Sequence, residues 1–257
     1  MKFFCRLSQK IPQIRGVGRL QYMLANHYRK NWSLGRIWVK IAGFKVHLDP
    51  QEAVDNALLF TFKWVDTNEH RALKKILRPG DCFVDVGANI GWYSLNASHY
   101  VGPQGRVVAI EANPEMADVI ESHLQANDIT NVELFNFGAS NKHEHLKLWI
   151  HTNGNLGRST LLQKTDDEEF RRAVEIECKP LIEFVDRPVR MMKLDIEGLE
   201  FTVLQHYLAH CESYPEFILT EQWMFPTNEP NAIGLLLENG YEIIEQWDHN
   251  FLLASRN

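Results

Sequence analysis

The sequence predicts an α/β fold: a doubly wound, mostly parallel sheet with helices on both faces, preceded by an N-terminal extension. Three observations support this prediction. Strand-like and helix-like segments alternate from residue 82 onward, which is typical of βαβ units. At residues 83–97 an apolar strand runs directly into a glycine-bearing turn and a helix. Several later strands end in acidic residues, at the side of such a sheet where ligands bind.

The first 48 residues are set apart by their charge. They hold ten of the 27 Lys and Arg residues and none of the 33 Asp and Glu residues. Because Pro12, Gly16 and Gly18 interrupt the apolar pattern, we do not expect one continuous amphipathic helix here. We expect a basic N-terminal extension over residues 1–48 that is solvated and partly docked. Contact with a membrane surface, an acidic glycan or nucleic acid is the alternative.

Composition indicates one main domain, which we assign to residues 49–257. The chain of 257 residues and its 45% share of hydrophobic residues are sufficient for one large packed core. The four cysteines show no paired spacing, and Cys82 and Cys178 lie in apolar strand patterns, so we expect buried thiols and a cytoplasmic protein. No apolar stretch approaches 18 residues, so we expect no membrane span.

Apolar periodicity and capping residues define the elements in chain order. We predict a strand at 44–48, helices at 52–62 and 68–77, a strand at 83–86, a helix from 92, a strand at 106–110, a helix at 113–127, strands at 132–135, 145–150 and 174–178, a short helix at 180–185, a strand at 189–194, a helix at 199–208, a strand at 216–220, a helix at 232–238 and strands at 241–245 and 251–253. The last two strands are close enough in sequence to pair antiparallel. We predict a long loop at residues 151–172, and long loops in compact domains often carry function.

The most informative turn is the run Asp85-Val86-Gly87-Ala88-Asn89-Ile90-Gly91, named here the glycine turn. A dinucleotide fingerprint reads G-x-G-x-x-G, but Asp85 takes the place of its first glycine and Ile90 that of its third. A carboxylate there repels a pyrophosphate and favours a cationic ligand such as S-adenosylmethionine. The alternative is a tight turn that needs glycine only for its backbone. We predict that Asp85, Gly87, Asn89 and Gly91 bind this cofactor.

The following strand also ends in an acid. Glu111 comes 20 residues after Gly91, where an acid can accept hydrogen bonds from both ribose hydroxyls of a nucleoside. A solvated acid at the end of a strand is the simpler alternative. The other residues predicted to bind the cofactor follow Glu111 or the third strand, whose edge would close over an adenine: Ala112, Asn113, Gly138 and Ala139.

A second polar cluster follows a later buried strand. Lys193, Asp195 and Glu197 lie between the strand at 189–194 and the next helix. Because the carboxyl ends of the strands border the crevice, Asp195 and Glu197 should face the acids described above. Acids at a helix start also oppose the helix dipole, and this alternative suits Glu197 better than Asp195. Glu221 ends the next strand and is a further candidate lining residue.

The motifs resemble the FkbM family of S-adenosylmethionine-dependent methyltransferases over about residues 68–241. The runs that carry the resemblance are Arg78-Pro79-Gly80-Asp81, the glycine turn, Glu111-Ala112-Asn113-Pro114, Ser159-Thr160-Leu161 and, most distinctively, Lys193-Leu194-Asp195-Ile196-Glu197-Gly198-Leu199-Glu200. The resemblance implies a Rossmann-like, seven-stranded methyltransferase sheet. It also implies O-methylation of a hydroxyl group, often on a sugar or a polyketide. Residues 1–48 lie outside it.

Methyl transfer to an alcohol requires alignment, exclusion of water and removal of the hydroxyl proton. We expect Asp195 or Glu197 to be the base or proton relay, with Lys193 orienting or neutralising them. The alternative is that the paired acids hold a cation such as Mg²⁺, and we assign no metal ligand. Ser159, Glu221 and Trp223 are the candidates for binding the acceptor, Trp223 by stacking on a ring.

Three other functions fit parts of the sequence. The basic extension favours an RNA methyltransferase, but the acidic remainder and the lack of an N-P-P-Y run or a Pro-Cys pair argue against it. The glycine pattern disfavours a nicotinamide dehydrogenase. Asp85, Glu111 and Asp195 argue against a binding module without activity. The predicted partner is therefore a hydroxyl acceptor, a small molecule or a glycan, and the oligomeric state is open at this point.

Overall fold

The computed structural model describes residues 17–61, 67–151, 154–162, 170, 172–222 and 231–256. The elements in this part of the chain are α1 (Val17–Asn31), β1 (Ile37–Ile41), β2 (Phe44–Leu48), α2 (Ala53–Phe60), α3 (Asn68–Ile76), β3 (Cys82–Val86), α4 (Trp92–Val101), β4 (Arg106–Ile110), α5 (Pro114–Ala126), β5 (Val132–Phe135), β6 (Gly138–Ser140), β7 (Glu144–Ile150), β8 (Arg172–Pro180), β9 (Met191–Leu194), α6 (Glu200–His210), β10 (Phe217–Glu221), α7 (Ala232–Glu238), β11 (Tyr241–Trp247) and β12 (Asn250–Ser255), with 3₁₀ turns at Leu156–Arg158 and Leu181–Phe184.

The central sheet has seven strands in the order β11-β12-β10-β9-β3-β4-β5. The five strands from β10 to β5 are parallel, and β12 and β11 pair antiparallel at one edge. The predicted fold class, a mostly parallel seven-stranded sheet with helices, is confirmed. The chain runs outward from β3 through β4 and β5 and then returns to β9 on the other side. This reversal between β3 and β9 is the point where sheets of this kind bind ligands.

Local sequence explains where the elements begin. The α3 helix begins after Thr67, whose hydroxyl accepts a hydrogen bond from the amide of His70. The α5 helix begins after Asn113, whose side chain accepts a hydrogen bond from the Glu115 amide. All five residues of β3 are buried, as expected of the middle strand of a covered parallel sheet. Cys82 and Cys178 are buried free thiols, as the sequence predicted.

A separate three-stranded sheet is formed by β6, β8 and β7 in that order. The β6 strand is parallel to β8, and β7 is antiparallel to it. The sequence predicted the strands at 145–150 and 174–178, but it did not predict that they lie outside the central sheet. An alternating pattern reports one buried face of a strand and carries no information on which sheet buries it.

The N-terminal region packs against the central sheet and its helices. Ile41, Val46 and Leu48 of the β1–β2 hairpin are buried in one cluster with Trp92 and Ile120. The predicted extension is therefore docked at residues 37–48, where the buried side chains of the hairpin belong to the core. The sequence predicted neither α1 nor β1. Gly18 lies in the first turn of α1, and Pro12 and Gly16 lie outside the described residues.

Candidate active site

The glycine turn and the end of β9 are held together through their backbones. The amide of Gly87 donates to the carbonyl of Ile110 at 2.9 Å, and the amide of Asp195 donates to the carbonyl of Val86 at 3.1 Å. Gly87 has φ +77°, and a Cβ added to it would lie 2.0 Å from the Asp195 carbonyl oxygen. Only glycine fits here, because both the conformation and the close approach exclude a side chain.

Asp85 is the first residue of the glycine turn and is completely buried. Its Oδ2 accepts a hydrogen bond from the Ser94 hydroxyl at 2.6 Å, and its Oδ1 lies 3.7 Å from Nζ of Lys193. Burial raises the pKa of Asp85, and the Lys193 ammonium partly opposes this shift. The side chain of Asp85 lines neither of the two cavities described below. The structure therefore places Asp85 against Ser94 and Lys193, and its role in cofactor binding stays a prediction.

Lys193 connects Asp85 to the polar end of β9. Its Nζ lies 3.4 Å from Oδ2 of Asp195, donates to the Gly87 carbonyl at 3.3 Å and lies 5.0 Å from the centre of the Tyr93 ring. Burial lowers the pKa of Lys193, but the Asp195 and Asp85 carboxylates outweigh that effect and raise it. Lys193 therefore stays protonated and holds Asp195 in place.

Glu111 is buried at the end of β4 and joins two segments. Its Oε2 accepts from the Asn89 amide at 2.6 Å, and its Oε1 accepts from the Asn113 amide at 2.8 Å. Burial raises the pKa of Glu111 to about 7, against the effect of these hydrogen bonds. Each carboxylate oxygen has a second lone pair, so Glu111 can also accept hydrogen bonds from a ligand.

Two cavities open beside these residues. The first has about 640 Å³ of empty volume that includes its open mouth. It is lined by apolar side chains, among them Ile110, Met116 and Phe137, and by the carboxylates of Glu111, Asp195 and Glu197. Among the described residues that line it, none is basic.

The second cavity is larger, with about 2540 Å³ of empty volume that includes its open mouth. Trp92, Tyr93 and Phe201 supply aromatic surface, and Lys193 and Glu221 lie at its polar side. The residues that line both cavities are Gly87, Asn89, Gly157, Asp195 and Glu197. The two cavities therefore meet between the glycine turn and the end of β9.

The turn at residues 195–200, named here the acid turn, is fixed by its own side chains and by a neighbouring loop. The Glu200 carboxylate accepts hydrogen bonds from the amides of Ile196 at 2.9 Å and Gly198 at 3.0 Å. The Thr160 hydroxyl donates to the Glu197 carbonyl at 2.9 Å. Glu200 is thus the acid that organises the start of α6 and also lines the second cavity, whereas Asp195 and Glu197 line both cavities.

Glu221 ends β10, next to β9 in the sheet. Burial, followed by the carboxylates of Asp195, Glu197 and Glu200, raises the pKa of Glu221 to about 7, and Lys193 partly opposes this shift. Glu221 therefore titrates near neutral pH at the wall of the second cavity. Among the described residues, no three His, Cys, Asp or Glu side chains are grouped so that they could hold a metal ion.

Most residues predicted from the sequence converge at this edge of the sheet. Those that line the first cavity are Gly87, Asn89, Glu111, Ala112, Gly138, Ala139, Ser159, Asp195 and Glu197, and those that line only the second are Lys193 and Glu221. Ser159 was predicted to bind the acceptor, but it lines the first cavity and not the second. Asp85, Gly91 and Asn113 line neither cavity. Asp85 accepts a hydrogen bond from Ser94, Gly91 directly precedes α4, and Asn113 caps the start of α5. Trp223 lies outside the described residues.

Four of the site residues that sequence reasoning missed contact the predicted acids and lysine or line the cavities beside them. Tyr93 and Ser94 lie in the first turn of α4 and contact Lys193 and Asp85, respectively. Gly157 and Arg158 lie in the predicted long loop and line the cavities. Two features of the sequence could have identified these residues. One is the helix that directly follows the glycine turn, and the other is the predicted long loop at residues 151–172.

The chain matches a family model and several known methyltransferases. The model of the methyltransferase FkbM domain matches residues 85–243. The chain is 28% identical over 191 residues to methyltransferase sdnD of Sordaria araneosa, a match that covers 62% of this chain and 73% of that protein.

Two solved structures are more distant matches. The FkbM methyltransferase of Methylobacillus flagellatus KT is 19% identical with a TM-score of 0.48, covering 79% of this chain and 52% of that one. The methyltransferase SMU.1697c of Streptococcus mutans, solved with SAH, is 13% identical with a TM-score of 0.43, covering 72% of this chain and 93% of that one. The family model spans more than half of the sequence, from the glycine turn through the acid turn to β11, and the chain belongs to the FkbM methyltransferase family.

Proposed function

We propose that this FkbM methyltransferase transfers the methyl group of S-adenosylmethionine to a hydroxyl group of a small molecule or a glycan. The observation that carries the proposal is the meeting of the two cavities at Asp195 and Glu197. A donor in the first cavity and an acceptor in the second would meet beside two carboxylates. That arrangement suits a displacement in which a proton must leave the acceptor.

The first cavity supports a cationic methyl donor. Its described lining residues include three carboxylates and no basic group, so its field favours a positively charged ligand. Glu111 has lone pairs available for the ribose hydroxyls, and Ile110, Met116 and Phe137 offer an apolar surface for adenine. When bound, S-adenosylmethionine supplies an electrophilic methyl group on a sulfonium.

The residues at the junction supply proton removal and alignment. Asp195 is held by Lys193, and its side chain is 43% exposed, so its carboxylate can accept a hydroxyl proton from the second cavity. Glu197 lies at the same junction and is the other candidate base. The close contact between Gly87 and the Asp195 backbone keeps this base at a fixed place relative to the turn.

The second cavity supports a neutral, hydroxyl-rich acceptor. Trp92, Tyr93 and Phe201 can pack against the faces of a ring, and Glu221 can accept hydrogen bonds from hydroxyl groups. The carboxylates at its wall repel a phosphodiester backbone, which disfavours nucleic acid. Arg36 of the basic extension is also engaged within the protein, because its guanidinium bonds to Asp55 at 2.7 Å.

Titration calorimetry with S-adenosylmethionine tests the donor half of the proposal. We expect wild-type protein to bind it, and we expect Glu111→Ala to weaken binding at least about tenfold, because a hydrogen bond to a charged group contributes about 1.5–3 kcal/mol. Glu175→Ala, at an exposed glutamate on β8, is the matched control. Unchanged affinity in Glu111→Ala, or preference for NAD over S-adenosylmethionine, contradicts the assignment.

The acceptor half is tested by incubating a cell extract with methyl-labelled S-adenosylmethionine and the enzyme. Mass spectrometry of the labelled products should find an oxygen-linked methyl group on a small molecule or a glycan. Label recovered only in RNA, with salt-dependent binding, would instead identify a nucleic-acid methyltransferase.

A further inference from the structure

The wall between the two cavities is formed by a loop at residues 154–158, named here the wall loop. Gly157 lines both cavities, Leu156 lines the first, and Asn155 and Arg158 line the second. A Cβ added to Gly157 would lie 2.7 Å from Nδ2 of Asn89, so the loop lies directly against the glycine turn. A small displacement of this loop would change the shape of both cavities.

The wall loop is held by the start of α2, about a hundred residues earlier in the chain. The Ala53 amide donates to the Gly154 carbonyl at 2.7 Å, and the Leu156 amide donates to Oε2 of Glu52 at 2.8 Å. These two hydrogen bonds hold both ends of the segment 154–156, its first residue through the carbonyl and its last through the amide. Arg29 of α1 adds a third hydrogen bond, from Nη2 to the Gly154 carbonyl at 3.3 Å.

The position of Glu52 indicates that its side chain serves the loop. Glu52 is the residue that precedes α2, where a side chain often caps the helix, yet its carboxylate makes no capping hydrogen bond. Its contact with Leu156 crosses 104 residues of sequence. Burial raises the pKa of Glu52, and the Leu156 amide opposes that rise.

The start of α2 is itself anchored in the N-terminal region. The buried side chain of Asn56 donates to the Ala25 carbonyl of α1 at 3.0 Å and to the Pro50 carbonyl at 2.8 Å. Tyr28 and Phe60 stack with ring centres 5.2 Å apart. The support for the wall loop is therefore continuous with α1.

We propose that Glu52 is a positioning residue for methyl transfer, and that α1 and α2 act as the support that sets the wall loop between the donor and acceptor cavities. The family match begins at residue 85, so this role belongs to a part of the chain outside it. The inference rests on the proposed function for the assignment of the donor and acceptor cavities and for the choice of S-adenosylmethionine as the probe.

Hydrogen exchange and calorimetry on the full chain test this role in four proteins: wild type, Glu52→Ala, Glu52→Gln and the control Glu175→Ala. We expect Glu52→Ala to accelerate amide exchange in residues 154–162 and to weaken S-adenosylmethionine binding about tenfold, because a charge-assisted hydrogen bond is lost. Glu52→Gln keeps an oxygen that accepts from Leu156, so it should recover most of both properties. Glu175→Ala should match wild type.

Two outcomes overturn the proposal. One is unchanged exchange in residues 154–162 of Glu52→Ala, and the other is acceleration spread evenly through the central sheet, which indicates a general loss of stability. If wild-type protein binds no S-adenosylmethionine, the proposed function fails, but the exchange data still decide whether Glu52 holds the wall loop.

Discussion

At the scale of single residues, a buried lysine organises the acids of the site. Lys193 lies within 4 Å of carboxylate oxygens of both Asp85 and Asp195, but the two acids differ in exposure. Asp85 is completely buried and hydrogen-bonded to Ser94, whereas Asp195 faces the junction of the cavities. The lysine therefore joins a structural acid to an acid that is available for chemistry.

Replacing Asp195 separates binding from turnover. We expect Asp195→Ala to abolish methyl transfer and to weaken S-adenosylmethionine binding less than Glu111→Ala does, because Glu111, Glu197 and the glycine turn remain intact. Labelled methyl transfer into an extract and titration calorimetry measure the two properties. Glu197→Ala is the comparison variant, and equal loss of turnover in both would show that the acids act together. Full turnover in Asp195→Ala would remove this residue from the mechanism.

A second residue-scale feature is the buried imidazole of His123. Its Nδ1 lies 2.9 Å from the Ile90 carbonyl, and its Nε2 accepts from the His47 amide at 2.7 Å. This arrangement fixes the neutral tautomer with its proton on Nδ1. Burial lowers the pKa of His123 to about 4. The imidazole thereby links the β1–β2 hairpin to the glycine turn.

The lowered pKa of His123 predicts that the folded protein loses stability in acid. Because the unfolded chain binds this proton more readily, the stabilising effect is present above about pH 6.5 and is lost as pH falls towards 4. The difference in unfolding free energy between wild type and His123→Gln should shrink over that range by on the order of 3 kcal/mol, at 1.36 kcal/mol per pKa unit. Urea denaturation at several pH values measures it. His99→Gln, at an exposed histidine of α4, is the control, and a difference that does not vary with pH contradicts the prediction.

At the scale of elements, the site depends on two adjacent strand ends that touch through their backbones. The turn after β3 passes so close to the Asp195 carbonyl that only glycine fits at residue 87. This contact fixes how far the acid turn lies from the glycine turn. The separate sheet of β6, β8 and β7 then covers the first cavity, to which Gly138, Ala139 and Leu148 contribute.

Gly87→Ala should therefore disrupt both turns at once. Overpacking and left-handed strain each cost about 1–3 kcal/mol, so we expect a loss of about 4 kcal/mol in unfolding free energy and a loss of cofactor binding. Gly102→Ala is the control, because Gly102 also has a positive φ, +65°, but nothing lies within 4 Å of its added Cβ. Denaturation and calorimetry measure both effects. Equal costs at the two positions would show that the close approach to Asp195 is unimportant.

At the scale of the whole molecule, the basic N-terminal region and the acidic remainder share a core. The Arg36 guanidinium forms an ion pair with Asp55, whose side chain is only 1% exposed and also accepts from the Asp49 amide. Burial raises the pKa of Asp55 to about 7, although Arg36 opposes the shift. Among the residues that the structure describes, no helix is both long and apolar enough to cross a bilayer.

Arg36→Met tests how strongly the two regions are joined. Removing one partner of a buried pair costs about 3 kcal/mol, because the remaining charge has no compensation. The pKa of Asp55 should then rise further, so the stability loss should be smaller at pH 6 than at pH 8, where the buried carboxyl must ionise. Urea denaturation at both values measures the loss. Arg19→Met, at an exposed residue of α1, is the control, and an equal effect in both variants contradicts a structural role for the pair.

From residue 44 onward, the sequence by itself determined the order of most elements and most of the site. The strand, glycine turn and helix at residues 82–101, Glu111 after β4, and Asp195 and Glu197 after β9 are all local patterns. Because parallel strands end at one edge of a sheet, these patterns also predicted that the acids converge. The bounds of β4, β5 and α7 agree with their predicted ranges.

Only the tertiary structure decided what covers each group. Asp85 lies in an apolar strand and Asp195 directly follows one, and the sequence predicted that both face the crevice, but only Asp195 lines the cavities. The separate sheet, the buried β1–β2 hairpin and the hydrogen bond from Leu156 to Glu52 depend on segments far apart in sequence. Periodicity records which side of an element is buried, whereas the partner that buries it is fixed by packing over the whole chain.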